Sequence, residues 1–313
     1  MSTLNGTATD YNDLLNQFRT FVTTDATLVS LGQNWTEEKY NNTPYNVVDN
    51  GQTNQVIAET YLKAPGLSGA EAIYMQLQCF QNTGNNMFNW RLRGAVGFLS
   101  SADWFNQPGA SPDQYAYMWN QPITFWFVAN GQRAIIVAKV STIYVPIYIG
   151  KFLPYGTPSQ YPYPLFIGGT GNATDSLANA NLRFSDSSTE HRSFFDPAAA
   201  LYCHPDGSWQ HLSNWVGGFG TTNIIWPWNF SITARQRFNF LDVNLDGSYS
   251  VFPARFVVTS PSLNVLGEFD GVGFVTGFSN ASENQLTIGP DTWFVFQDTF
   301  RNALDNFCAI KWS

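Results

Sequence analysis

Three stretches of this 313-residue chain hold closely spaced side chains of kinds that could do chemistry. In "DVNLDGSYS", Asp242, Asn244, Asp246 and Ser248 alternate along the chain and Gly247 marks the bend. This is the opening half of a calcium loop, D-x-[DN]-x-[DN]-G, whose alternate oxygens wrap a hard cation. The twelfth position of such a loop should supply a bidentate Glu, and here it is Pro253. No helical pattern flanks the segment, so a tight turn at Asp246-Gly247 explains the same letters and no bound metal is expected. In "YCHPDGSWQH", Cys203, His204 and His211 lie close together, with His191 shortly before them. Thiolate and imidazole suit zinc, but the spacing is neither C-x2-C nor H-x3-5-H, and "PDGSW" reads as a turn. The third group is acidic: Glu268 and Asp270 in "GEFDG", with Asp291 and Asp298 around "TWFVFQ". A glycosidase sets two carboxylates across a cleft. A chain with 23 acids offers many such pairs, and these sit at strand ends, where turns also favour Asp. No serine stands in a G-x-S-x-G elbow, and "DGVGFVTG" lacks the third glycine of a dinucleotide fingerprint. The expectation is a protein with no catalytic residues and no cofactor.

Around these stretches the hydrophobic pattern changes once. Tyr11, Leu14, Leu15, Phe18, Phe21 and Val22 recur at helical spacing behind Asp10, a fitting N-cap, which predicts an amphipathic helix over 11–24. From about residue 55 the period is two. "AIYMQLQCFQNTGNNMFNWRLRGAVGF" gives two strands around a Gly-Asn turn, and "ITFWFVANGQRAIIVAKVSTIYV" a hairpin turning at Asn130-Gly131, a pair that tolerates positive φ. Both faces of that hairpin are apolar, so it should be central and covered on each side. "SLNVLGEFDGVGFVTGF", "QLTIG", "TWFVFQD" and "NFCAIKWS" continue the strands and tie the C-terminus into the fold. The predicted class is all-β, mainly antiparallel: a β-sandwich-like body with long irregular insertions and one N-terminal helix. Its parts are 1–30 as N-terminal arm and helix, 31–154 as a β-rich region with the central hairpin, 155–240 as a Pro/Gly/Asn-rich insertion, and 241–313 as strands completing the sandwich.

Composition narrows the function. Charged residues are 12% of the chain and aromatics 16%, with 15 basic against 23 acidic side chains for a net charge of −8. About a quarter charged is usual for a soluble domain. A surface this poor in charge is easily desolvated, and interface cores are likewise depleted in Lys, Glu and Asp and rich in aromatics. The acidic balance and the lack of any basic run argue against nucleic acid. No secretion signal or apolar span is visible, so no membrane insertion is expected. Cys79, Cys203 and Cys308, odd in number and far apart, read as reduced buried thiols. In "STIYVPIYIGKFLPYGTPSQYPYPLFIGG", Tyr144, Tyr148, Tyr155, Tyr161 and Tyr163 stand among prolines that restrict φ and lower the entropy lost on ordering. Pro146 should mark a sheet edge or bulge, and the part from Lys151 a stiff polyproline-like excursion. With Trp226 and Trp228, which flank Pro227, these tyrosines are the candidates for a protein interface, the alternatives being sugar stacking and packing on their own sheet.

The order of a helix, then "FWFVANGQRAIIVAKVSTIYVPIYIGKFLPYGTPSQYPYPLFIGG", then "LTIGPDTWFVFQDTFRNALDNFCAIKW", resembles structural proteins of tailed bacteriophages. It is a likeness of pattern over the central hairpin, its Tyr/Pro segment and roughly the last thirty residues. The resemblance implies a non-enzymatic virion subunit of the tail or baseplate, assembled in the host cytoplasm. Its partners would be other virion proteins and copies of itself in a symmetric oligomer. A receptor-binding or glycan-processing tail module, and a capsid-surface or neck protein, are the alternatives.

Overall fold

The computed structural model describes residues 1–49, 51–171, 181–186, 191–196, 199–212, 224–228, 243–244, 246–258, 264–301 and 303–313. In chain order they begin with β1 (Ser2–Ala8), α1 (Tyr11–Thr24), α2 (Ala26–Ser30), β2 (Thr36–Asn41), β3 (Tyr45–Asp49), β4 (Gln52–Ala64), β5 (Ile73–Asn82) and β6 (Met87–Ala95). The middle of the chain forms β7 (Gln114–Tyr117), β8 (Ile123–Ala129), β9 (Arg133–Val140), β10 (Ile143–Lys151), β11 (Leu153–Pro154) and β12 (Leu165–Gly168). There follow β13 (Ala200–Cys203), β14 (Trp209–His211), β15 (Ile224–Trp226), β16 (Phe252–Val258), β17 (Asn264–Phe274), β18 (Gln285–Ile288), β19 (Asp291–Gln297) and β20 (Phe307–Lys311).

The strands form three antiparallel sheets. Sheet A runs β1-β8-β9-β10-β12-β13-β14, sheet B runs β2-β4-β5-β6-β7 with β3 also on β4, and sheet C runs β15-β16-β17-β20-β19-β18 with β11 on β17. Successive side chains of a strand point to opposite faces, and sheet A is apolar on both. Phe125, Phe127, Ile136, Val145 and Ile147 enter one core with Leu77, Trp90 and Leu92 of sheet B. Trp126, Val128, Ile135, Tyr144 and Tyr148 enter a second core with Phe256, Phe269, Phe296 and Ile310 of sheet C. The predicted sandwich is thus a stack of three sheets with the β8–β9 hairpin in its middle layer, as the two-faced pattern required.

Helix α1 forms where predicted. Asp10 Oδ1 accepts from the backbone N–H groups of Asn12 and Asp13, both at 2.8 Å, satisfying two donors that a helix start leaves open. All six residues of the apolar stripe are buried in the core shared with sheets A and B, so the chain covers its own helix. Asp25 ends α1 and caps the short α2.

Three expectations change. Residues 2–8, predicted as part of an arm, form edge strand β1, paired along its whole length with β8. The stretch 155–240 does not stand apart as an insertion: β12, β13 and β14 extend sheet A and β15 extends sheet C. The hairpin turn at Asn130-Gly131 uses no positive φ. Instead Asn130 Oδ1 accepts from Gln132 N at 2.9 Å and Arg133 N at 3.1 Å. Gly131 is needed for space, since a Cβ there would run into the Gly66 carbonyl oxygen.

Candidate interaction surface

The Tyr/Pro segment divides by strand parity. Tyr144 and Tyr148 lie on β10, each two residues from Pro146, on the face turned to sheet C, and both are buried there. Tyr148 sits edge-on to Phe166 and Phe269, with ring centroids 5.7 and 5.1 Å away. Pro146 is itself buried, paired with Val137 of β9 on one side. The pairing of β10 with β12 begins only at Tyr148, so Pro146 occupies the one-sided part of the strand, where a missing N–H costs least.

From Lys151 the chain makes a closed loop rather than a polyproline excursion. Phe152 N donates to Pro164 O at 3.1 Å, bringing the loop ends together, and Tyr161 N donates to Thr157 O at 2.9 Å to form its tip. Tyr161 points inward: its hydroxyl donates to Cys203 O at 2.5 Å and its ring packs 5.6 Å from Phe152. Trp228 is buried beside Phe195 and donates to Phe307 O at 3.2 Å. Tyr144, Tyr148, Tyr161 and Trp228 are therefore corrected from interface candidates to core residues. Burial of a large aromatic face removes it from any partner, and the phenols of Tyr148 and Tyr161 are pushed well up by that burial.

What stays outside is a row across sheet C. Trp226 of β15 faces Arg255 of β16, Arg255 faces Glu268 of β17, and Glu268 faces Leu153 of β11. Directly opposed residues share a face, and Tyr155, two positions beyond Leu153, joins them by donating to Glu268 Oε2 at 3.1 Å. Partial burial first, then this hydrogen bond, raises the Tyr155 phenol. The Arg255 guanidinium lies 5.7 Å from the Trp226 ring centroid. Tyr155 is 55% exposed, Tyr163 on the same loop 40%, and Val265 of β17 44%. Of the predicted interface residues, Tyr155 and Tyr163 are thus exposed and Trp226 is half-buried. Arg255 and Val265 join them without having been singled out, because their place depends on strand register alone. The row offers two aromatic faces around a pair of opposite charges.

The other candidates are occupied locally. Asp270 accepts from Asn130 Nδ2 at 2.6 Å, Gln132 Nε2 at 3.3 Å and Arg133 Nε at 3.2 Å. Burial alone would raise its carboxyl, but the Arg133 charge and these hydrogen bonds outweigh burial and hold it below the usual range. Asp291 pairs with Lys311 at 2.7 Å. Asp298 is buried, and burial with the nearby Asp196 carboxylate pushes it up to about 8, outweighing the Ser193 hydrogen bond, the Arg192 charge and the Thr299 backbone N–H. Glu268, Asp270, Asp291 and Asp298 therefore each answer to a different set of neighbours. In the would-be zinc segment, the Cys203 thiol is turned into the core between sheets A and B, burial raising it to about 11. His204 Nδ1 lies 3.0 Å from Asp206, and His191 Nε2 lies 2.9 Å from Arg183 O. Asp242 falls outside the described residues; Asn244, Asp246 and Ser248 close a turn, with Asn244 N donating to Ser248 O and Asp246 Oδ1 accepting from Ser248 N and Oγ. No group of three His, Cys, Asp or Glu side chains among the described residues is placed to hold a metal. No described helix is long and apolar enough to cross a membrane.

Scanned against protein-family models the chain matches none, and a search of curated proteins likewise finds no match.

Proposed function

We propose that this chain is a non-enzymatic structural subunit of a tailed-phage virion, in the tail or baseplate, working through protein–protein contacts. The observation that carries the reading is the Trp226–Arg255–Glu268–Tyr155 row, with Arg255 and Tyr155 exposed and Trp226 and Glu268 half-buried, on a chain only 12% charged. Aromatics and Arg are the residues enriched at interface hot spots, and a surface poor in Lys, Glu and Asp is cheap to cover. The likeness of the central hairpin and C-terminal pattern to phage structural proteins supplies the assembly.

The test is made on the purified chain and on phage particles carrying it. The chain should form a symmetric oligomer or remain with purified particles, and the Tyr155→Ala/Tyr163→Ala double variant should lose that association while melting within a few degrees of wild type. A stable monomer absent from purified particles would overturn the proposal.

A further inference from the structure

The strands that end the three sheets differ in how they are protected. A strand at a sheet's end shows a row of unpaired N–H and C=O groups that another strand can use, and proteins blunt such edges with charge, proline, bulges or brevity. At one end of sheet B, β2 reads "TEEKYN": it carries Glu37, Glu38 and Lys39, and a bulge falls between Glu37 and Lys39. At the other end, the Tyr115 carbonyl of β7 accepts from Thr170 N at 2.8 Å and Gly171 N at 3.1 Å. The end strands β14, β15 and β18 are only three or four residues long.

β1 has none of these protections. Its seven residues, "STLNGTA", hold no charge and no proline, and they run beside β8 without a register shift. About half of the backbone N–H and C=O groups of such a strand point away from its one neighbour. Among the described residues no second strand pairs with β1 on that outer side, and Leu4, Asn5 and Thr7 are exposed. Leu4 opposes Phe127 and Gly6 opposes Phe125, so both lie on the face shared with α1. On that face a groove of about 460 Å³ opens between Leu4 and the Gln17, Thr20 and Thr24 flank of the helix, leaving space for side chains of an added strand.

The strand also suits a copy of itself. Laid antiparallel on a second β1 about a two-fold axis at Asn5, Thr3 faces Thr7, Leu4 faces Gly6, Ser2 faces Ala8 and Asn5 faces its own copy. The one large side chain meets a glycine, the threonines can hydrogen-bond in pairs, and no like charges meet. We infer that β1 is the self-association edge of this chain: two copies join β1 to β1 across a two-fold axis, and sheet A continues from one subunit into the other. Such a contact closes at two copies, whereas β1 joined to β14 of the next copy would repeat into a filament. It extends the reading of the chain as an assembly subunit but needs only a second copy, and it leaves the Trp226–Tyr155 row of sheet C to other partners.

Sedimentation velocity on the purified full chain at about 10 μM, where a micromolar contact is largely formed, should show a dimer. Asn5→Lys, at an exposed position, sets two ammonium groups opposite each other and should raise the dissociation constant about tenfold or more while melting within a few degrees of wild type; Asn5→Ser should stay dimeric. Asn5→Cys should give a disulfide-linked dimer on mild oxidation, and Val29→Cys, exposed on α2, should not. The native Cys79, Cys203 and Cys308 are buried and do not compete. Cross-linking decides the matter if Asn5→Lys does not fold. A monomer at that concentration, a series that grows past two copies, a dimer indifferent to Asn5→Lys, or equal cross-linking of the two cysteine variants would each overturn the inference. Tyr155→Ala/Tyr163→Ala, which removes only contacts made by the row, should keep this dimer; its loss there would move the contact to sheet C. A dimer in solution that is absent from phage particles would refute the virion reading and leave the self-pairing standing.

Discussion

Asp270→Ala tests the joint between the middle and outer sheets. Arg133 of β9 belongs to sheet A and Asp270 of β17 to sheet C, so their ion pair ties two layers. The Arg133 side chain is fully buried while that of Asp270 is 24% exposed. Arg133 Nη1 also donates to Val128 O at 3.2 Å, so the guanidinium cannot swing out to water without breaking the hairpin tip. Removing the carboxylate leaves a buried cation alone, which costs about 3–5 kcal/mol in comparable pairs; solvent reaching Asp270 brings the expectation to the lower end, about 3 kcal/mol. Urea denaturation should show it as a clear fall in midpoint. Asp291→Asn, whose pair with Lys311 is about one-third exposed on both sides, should cost under about 1 kcal/mol. Because the folded carboxyl of Asp270 lies below its ordinary value of 3.8, the stabilisation is fully present above that pH and is lost as pH falls further. The lead of wild type over Asp270→Ala should therefore shrink in acid. A loss no greater than that of Asp291→Asn at neutral pH, or a lead that grows on acidification, would refute the argument.

Asp298 should behave in the opposite sense. Its folded carboxyl is raised to about 8 from 3.8, so its contribution is present below the unfolded value and lost as pH rises through about 8. Asp298→Asn should match wild type near pH 4 and clearly exceed it at pH 9 in melting curves across that range. Gly131→Ala should destabilise by about 2–3 kcal/mol in the same urea assay, although its φ is ordinary, because the added methyl meets the Gly66 backbone. A neutral outcome would mean that the Gly66 turn yields easily.

The sequence shows elements well when their pattern is local. Tyr11 to Val22 repeat at helical spacing behind a capping Asp10, and the structure begins and ends α1 within that pattern. Apolar residues on both faces of Phe125–Val128 required two covering layers, and sheets B and C supply them. β1 was hidden because "STLNGTA" holds no alternating hydrophobic signal; its pairing comes from the backbone and from β8 alone. The tyrosines were ambiguous because the same Tyr/Pro letters serve core and surface. Only the register of β10 and the closure of the 152–164 loop separate Tyr148 and Tyr161 from Tyr155 and Tyr163. Gln76 and Gln78 escaped notice for a third reason: "MQLQCF" alternates like a half-exposed strand, yet both glutamines are buried.

The placing of sheet A has a consequence for how the chain acquires its structure. Residue 2 meets residue 129 at one edge of that sheet, and residue 201 meets residue 211 at the other. Neither flanking core can close until this middle layer exists, yet the layer draws on chain segments that emerge far apart during synthesis. Loop closure must come before much of the burial that rewards it, which makes for slow folding and a long exposure of sticky strands such as "TFWFVA". Early folding should therefore be carried by the nearest-neighbour hairpins β4–β5–β6 and β8–β9–β10, with β1 docking late onto β8.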